Sequence, residues 1–177
     1  MSALVRASGI VAVVVLLAAL TSGLLFSARE TGARRRPAWW LDLHNALGGI
    51  SMVLVGVHIV ASLADSSNGI GVLQTLVPGF AAPDRLGLSL GVAAAYLFAG
   101  AVFTTWPRRL RARPWWRVIH LGSAVGVPFA LIHTYRMGTD SSRVVLEAGL
   151  VALVAPAMYA AGVRVFDRLA RRTGAAG

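Results

Sequence analysis

Lysine and cysteine are both missing from this 177-residue chain, and acidic residues number only seven, against 17 basic residues that are all arginine. Without cysteine there are no disulfides, no thiolate-bound zinc, no cysteine-held iron–sulfur cluster and no covalent haem attachment through a C-x-x-C-H motif. Charge is scarce as well: 14% of the residues, where a soluble domain carries roughly a quarter. What fills the chain instead is apolar, 56% of it, with a mean hydropathy of +0.69. The net charge of +10 is not spread over a soluble surface but gathered at the ends of apolar runs. Loop arginines that set membrane topology account for it, and nucleic acid is not an expected partner.

Uncharged runs such as 10–27 and 86–106 match the roughly 20 residues that carry a helix across a bilayer. Five spans are expected, at about 3–27, 39–63, 85–106, 115–137 and 144–166. In lipid every backbone polar group must find its partner within the chain, so these should be helices. The expected fold is an all-α integral membrane bundle forming one domain over 1–177, with no soluble flavin or nicotinamide domain. Trp39, Trp40, Trp106, Trp115 and Trp116 stand at span ends, as interfacial tryptophans do. Arg29, Arg34, Arg35 and Arg36, then Arg108, Arg109, Arg111, Arg113 and Arg117, then Arg164, Arg168, Arg171 and Arg172 fall on one side. Only Arg6, Arg85, Arg136 and Arg143 fall on the other. The positive-inside rule then gives a multi-pass plasma-membrane protein with its N-terminus outside and its C-terminus in the cytoplasm. The first span reads as a retained helix rather than a cleaved leader, since no A-x-A site follows it and the next loop is arginine-rich. The one long connection, 64–84, carries Pro78 and Pro83 and is expected to cap the outer side.

All four histidines lie within spans, as two tandem pairs: His44 and His58 in the second, His120 and His133 in the fourth. An ionisable residue inside a membrane span is costly and marks a functional site by default. Imidazole is a common axial ligand of haem iron, and a bis-histidine haem needs two that face each other. Spans two and four run in the same direction, so His44 is level with His120 and His58 with His133. Separations of 14 and 13 residues correspond to roughly 21 and 19.5 Å along a helix. Two non-covalent b-type haems, one inner and one outer, are the natural reading, with a haem-binding core over about 39–140 and the sites between helices two and four. Helical phase fits unevenly: 14 steps return to within about 40° of the same face, whereas 13 steps miss by about 140°. Pro128, between His120 and His133, is a candidate kink that would reconcile the second helix.

Other residues carry two readings each. Arg117, one turn before His120, and Arg136, three residues after His133, are candidates for pairing haem propionates, or else interface arginines. Trp116 is a candidate to pack on the inner haem, and Phe129 and Met52 to fill the space between haems, unless they are ordinary interface and packing residues. Gly48, Gly49, Gly56, Gly122 and Gly126 either make room for a macrocycle or serve helix packing, whereas Gly87 and Gly91 read as plain helix contact. Asp42 and Glu147 are read as helix-end charges, Asp42 alternatively as a partner of His44.

The doubled histidine spacing, together with Trp116-Arg117-Val118-Ile119-His120-Leu121, resembles the ferric reductase-like transmembrane domain over roughly residues 40–140. Gly138-Thr139-Asp140, Val77-Pro78 and the 86–91 segment resemble small bacterial members of that family. The resemblance implies two b-type haems ligated by His44/His120 and His58/His133, with electrons passing from a cytoplasmic flavin to an outer acceptor. The chain departs from the large members in span number and in lacking their flavin domain. A separate flavoprotein reductase or quinol is then the expected donor, and the chain the haem component of an oxidoreductase. A quinone-linked membrane-anchor cytochrome is the alternative, and a non-redox metal transporter or structural membrane protein the third reading.

Overall fold

The computed structural model describes residues 2–28, 38–80, 84–138 and 143–172, and among these there is no strand. Six helices follow one another among them: α1 (Ala3–Ala28), α2 (Ala38–Ala64), the short α3 (Val72–Leu76), α4 (Arg85–Thr105), α5 (Pro114–Met137) and α6 (Arg143–Arg172). The expected all-α bundle is what forms. Arg29, Arg34, Arg35, Arg36, Pro83 and the Thr139-Asp140 pair lie outside the described residues, as does the side chain of Glu147.

Among the described residues four helices, α1, α2, α4 and α5, are long and apolar enough to cross a membrane. The fifth expected span, 144–166, lies inside α6, whose apolar stretch among the described residues is Val154–Phe166. α6 packs chiefly along α1.

Two antiparallel pairs organise the rest: α1 lies along α2, and α4 along α5. α2 and α5 make at most a glancing contact with each other; α1 reaches α5, and α4 reaches α2. Small side chains allow this, since Ala12, Ala19, Ala94, Ala101, Ala157 and Ala160 are all buried and let backbones approach closely. At mid-height Leu17, Ala94, Phe98, Val127 and Ala157 form a buried cluster, with Met52 and Phe129 packed on its edge. Large apolar side chains point outward: Val53 is 68% exposed and Val118 73%, the arrangement expected where lipid rather than water is the solvent.

The two ends of the bundle differ in chemistry. At one end Ser2 N–H donates to the Asp65 carboxylate (2.6 Å), tying the start of α1 to the end of α2. Asp84 caps α4 by accepting from Gly87 N–H (3.0 Å), a role short acidic side chains fill well. Arg136 closes on the same carboxylate with two bonds, Nε at 2.8 Å and NH2 at 3.0 Å. Tyr96 O–H donates to Leu76 O (2.6 Å), drawing α3 alongside α4. At the other end stand all five tryptophans: Trp39 and Trp40 open α2, Trp106 follows α4, and Trp115 and Trp116 open α5. Pro114 starts α5 at its first position, where the missing N–H costs nothing. Trp116 Nε1 donates to Thr105 Oγ1 (3.1 Å), joining the start of α5 to the end of α4.

Two imidazole pairs as the candidate functional site

The histidines expected to stand level are brought together. His44 and His120 have ring centroids 5.8 Å apart with planes at 76°. His58 and His133 are 6.2 Å apart at 82°. In each pair one ring comes from α2 and the other from α5, the two helices that hardly touch. Two imidazoles bound end-on to one ion, each at about 2.0–2.1 Å, place their centroids roughly 6 Å apart. Among the described residues no group of three or more histidine, cysteine, aspartate or glutamate side chains gathers as for a multi-ligand metal site. The imidazoles come strictly in twos.

Three of the four rings are fixed in the same way. His44 Nδ1 donates to Ala19 O (2.8 Å), His58 Nδ1 to Val5 O (3.0 Å) and His133 Nδ1 to Gly87 O (2.9 Å). Each carbonyl can only accept, so Nδ1 carries a proton, and in the neutral ring Nε2 is the nitrogen that keeps its lone pair. Four residues beyond each carbonyl stands a glycine. A Cβ on Gly23 would lie 2.9 Å from His44, one on Gly9 3.0 Å from His58, and one on Gly91 2.5 Å from His133. Carbonyl and glycine together form a seat: the first aims the ring, and the second lets it lie flat against the neighbouring helix. Ser8 Oγ lies 3.4 Å from His58 Nδ1 beside this seat.

His120 has no such seat. Its Nδ1 is a buried polar atom with no hydrogen-bond partner. Its ring is stacked on Trp116 instead, centroids 4.9 Å apart and planes at 19°.

An apolar cavity accompanies each pair. The one beside His58 and His133 is about 160 Å³, walled by Gly9, Gly91, Phe98 and Thr75, with Arg6 on its lining. The one beside His44 and His120 is about 570 Å³, with Gly23, Trp116, Arg111 and Arg164 on its wall. Leu16 and Phe98 line both. Arg111 Nε donates to Thr105 O (2.7 Å), and Arg164 bonds Ser27 Oγ.

The remaining candidates are placed as follows. Trp116 stacks on His120. Phe129 lies at the edge of the mid-height cluster, while Phe98 occupies the position between the two cavities. Arg117 is exposed on α5, and Arg136 is engaged with Asp84, whose carboxyl it holds below the usual carboxylate range. Among the described residues the arginines that line the cavities are Arg6, Arg111 and Arg164. Gly48, Gly49, Gly56 and Gly122 have open space beside them, whereas Gly126 receives the Phe98 ring. Gly87 and Gly91 exceed plain helix contact, for they build the His133 seat.

The contributions of α1 and α4 were missed from the sequence because backbone carbonyls carry no residue signature. One signal was available. Gly9 and Gly23 are 14 residues apart, the spacing of His44 and His58 on the antiparallel neighbour.

Fold and site together define a class, an all-α bundle with several helices fit to cross a membrane and paired imidazoles between two of them. Compared with known protein families, curated proteins and solved structures, the chain has no match.

Proposed function

We propose that the chain is a membrane cytochrome: a carrier of electrons across the bilayer through two b-type haems, held by His44/His120 and His58/His133. The observation that carries this reading is the doubled pairing, with centroids at 5.8 and 6.2 Å on helices that otherwise hardly touch. Three properties of the residues fit such a group. Nδ1 is committed to a carbonyl in three rings, which leaves Nε2 basic and aimed. Apolar walls lie beside both pairs, as a macrocycle requires. Arginines on the cavity linings suit anionic propionates. Bound there, haem would supply one-electron chemistry; the protein's part is orientation, exclusion of water and tuning by axial ligand and local charge.

The two levels are roughly 20 Å apart along the helices, so together they bridge most of a hydrocarbon core about 30 Å thick. In the ferric reductase-like reading, electrons enter from a cytoplasmic flavin-type donor on a partner, at the tryptophan and arginine end. They leave at the aspartate end to an outer acceptor. The test is haem stoichiometry on purified protein, by pyridine haemochrome with a reduced-minus-oxidised spectrum. Two b-type haems per chain are expected, and protein that stays haem-free when expressed with ample haem sinks the reading. Reduction by a flavoprotein but not by quinol would select the ferric reductase-like form over a quinone-linked anchor.

A further inference from the structure

The unequal seating of the four rings has a geometric cause. Seats repeat every 14 residues: Val5 with Gly9 and Ala19 with Gly23 on α1 match His58 and His44 on α2. On α4 the positions 14 beyond Gly87 and Gly91 are Ala101 and Thr105, and both line the cavity beside His120. There the repeat fails twice. Thr105 stands where the other three seats have glycine, so a side chain occupies the place of the ring. On α5 the histidines are 13 apart rather than 14, so once His133 takes its seat, His120 falls about 100° out of phase with the next one. The Trp116 indole fills the breach: its Nε1 holds Thr105 Oγ1 while its face carries the His120 ring.

We propose that Thr105 and Trp116 make His120 the one releasable imidazole of the four, so that the His44/His120 centre accepts a small neutral π-acceptor ligand while the His58/His133 centre does not. This rests on the haem reading above. The physical reason is twofold. An Nδ1–H without an acceptor makes the opposite nitrogen a weaker donor to a metal. A ring held by stacking on one side chain also swings away more easily than one pinned to a helix backbone. The exchange changes no oxidation state: one iron–imidazole bond breaks and one iron–ligand bond forms.

Carbon monoxide added to the dithionite-reduced, purified full chain is the probe, read by optical difference spectrum and by ligand stoichiometry. Half of the bound haem should form the adduct in the wild type. His58→Ala, which removes the other centre, should leave a protein whose remaining haem reacts in full. Gly91→Ala drives a methyl group against His133 and should unseat it, raising the reactive share towards all of the haem. Trp116→Phe keeps a stacking face and should retain both haems with an unchanged reactive share. Trp116→Ala should lose the His44/His120 haem selectively. Haem-loaded wild type that binds carbon monoxide at neither centre, or equally at both, overturns the inference and leaves the haem reading standing. Absence of haem from every preparation removes both.

Discussion

The aspartate end and the tryptophan end of this bundle use the same two helices and the same residue type, yet hold their imidazole pairs differently. At the aspartate end both rings are pinned to backbone carbonyls, the glycines beneath them are in place, and the cavity is small. An ionic clamp closes on the cap of α4, whose first turn supplies the His133 acceptor: Asp84 takes Gly87 N–H on one side and Arg136 on the other. At the tryptophan end only His44 is pinned, His120 leans on an indole, and the cavity is more than three times larger. The lesson is that a ligand-competent histidine in a membrane helix is specified as much by the neighbouring helix as by its own. A carbonyl and a missing side chain, four residues apart on α1 or α4, decide how firmly each ring is held.

The largest expected effect separates the two ends outright. His44→Ala and His58→Ala should each remove one haem signal, that of its own end, and leave the other largely intact. Haemochrome content with a redox titration of each variant checks this, and equal loss of both signals from either variant would break the division. Next come the seats. A methyl group lies closer to the ring at Gly91 than at Gly9, and overpacking of this kind costs about 1–3 kcal/mol. Gly91→Ala should therefore lower thermal stability and loosen the haem more than Gly9→Ala does. Gly122→Ala, with open space beside it, should leave both unchanged. A reversed order, measured by melting curves and haem retention, would break the seat argument.

A smaller effect concerns the clamp. Arg136, then the Gly87 N–H, hold the Asp84 carboxyl below its ordinary range. A depressed carboxylate contributes its stability in full above the unfolded value near 4 and loses it as pH falls through the lower folded value. The aspartate-end signal should hold from neutral pH down to about 4 and weaken below it. Asp84→Asn should show the weakened state already at neutral pH, with wild type and variant converging in acid. A parallel fall of both haem signals with pH would assign the effect elsewhere. Smallest of all, Arg117→Gln should leave haem content at either end unaltered, because that side chain is exposed on α5 and lines neither cavity. Selective loss at the tryptophan end would instead return Arg117 to the site.

Several features were legible from the chain alone. Long apolar runs gave the helices at nearly their observed bounds, because in lipid an unsatisfied backbone has no alternative. Depth also could be read: rise per residue places His44 level with His120 and His58 with His133. The fifth span, 144–166, falls within the single helix α6, of which Val154–Phe166 is the apolar stretch among the described residues. Arginines were harder to place. Arg117 and Arg136 are the ones adjacent to histidines in sequence, whereas Arg6, Arg111 and Arg164 reach the cavities from α1, the loop before α5 and α6.

By itself the sequence determined an all-α membrane bundle and two levels of paired imidazoles, because hydropathy and helical rise are local properties that need no knowledge of neighbours. Only the tertiary structure decided which rings are seated and how the mismatch of 14 against 13 residues is resolved. Hydrogen bonding to a carbonyl and contact with a glycine are made between helices, and their geometry depends on the phase at which two helices meet. On α1 and α2 that phase agrees at both levels; on α4 and α5 it agrees only at His133, and Trp116 holds what is left over.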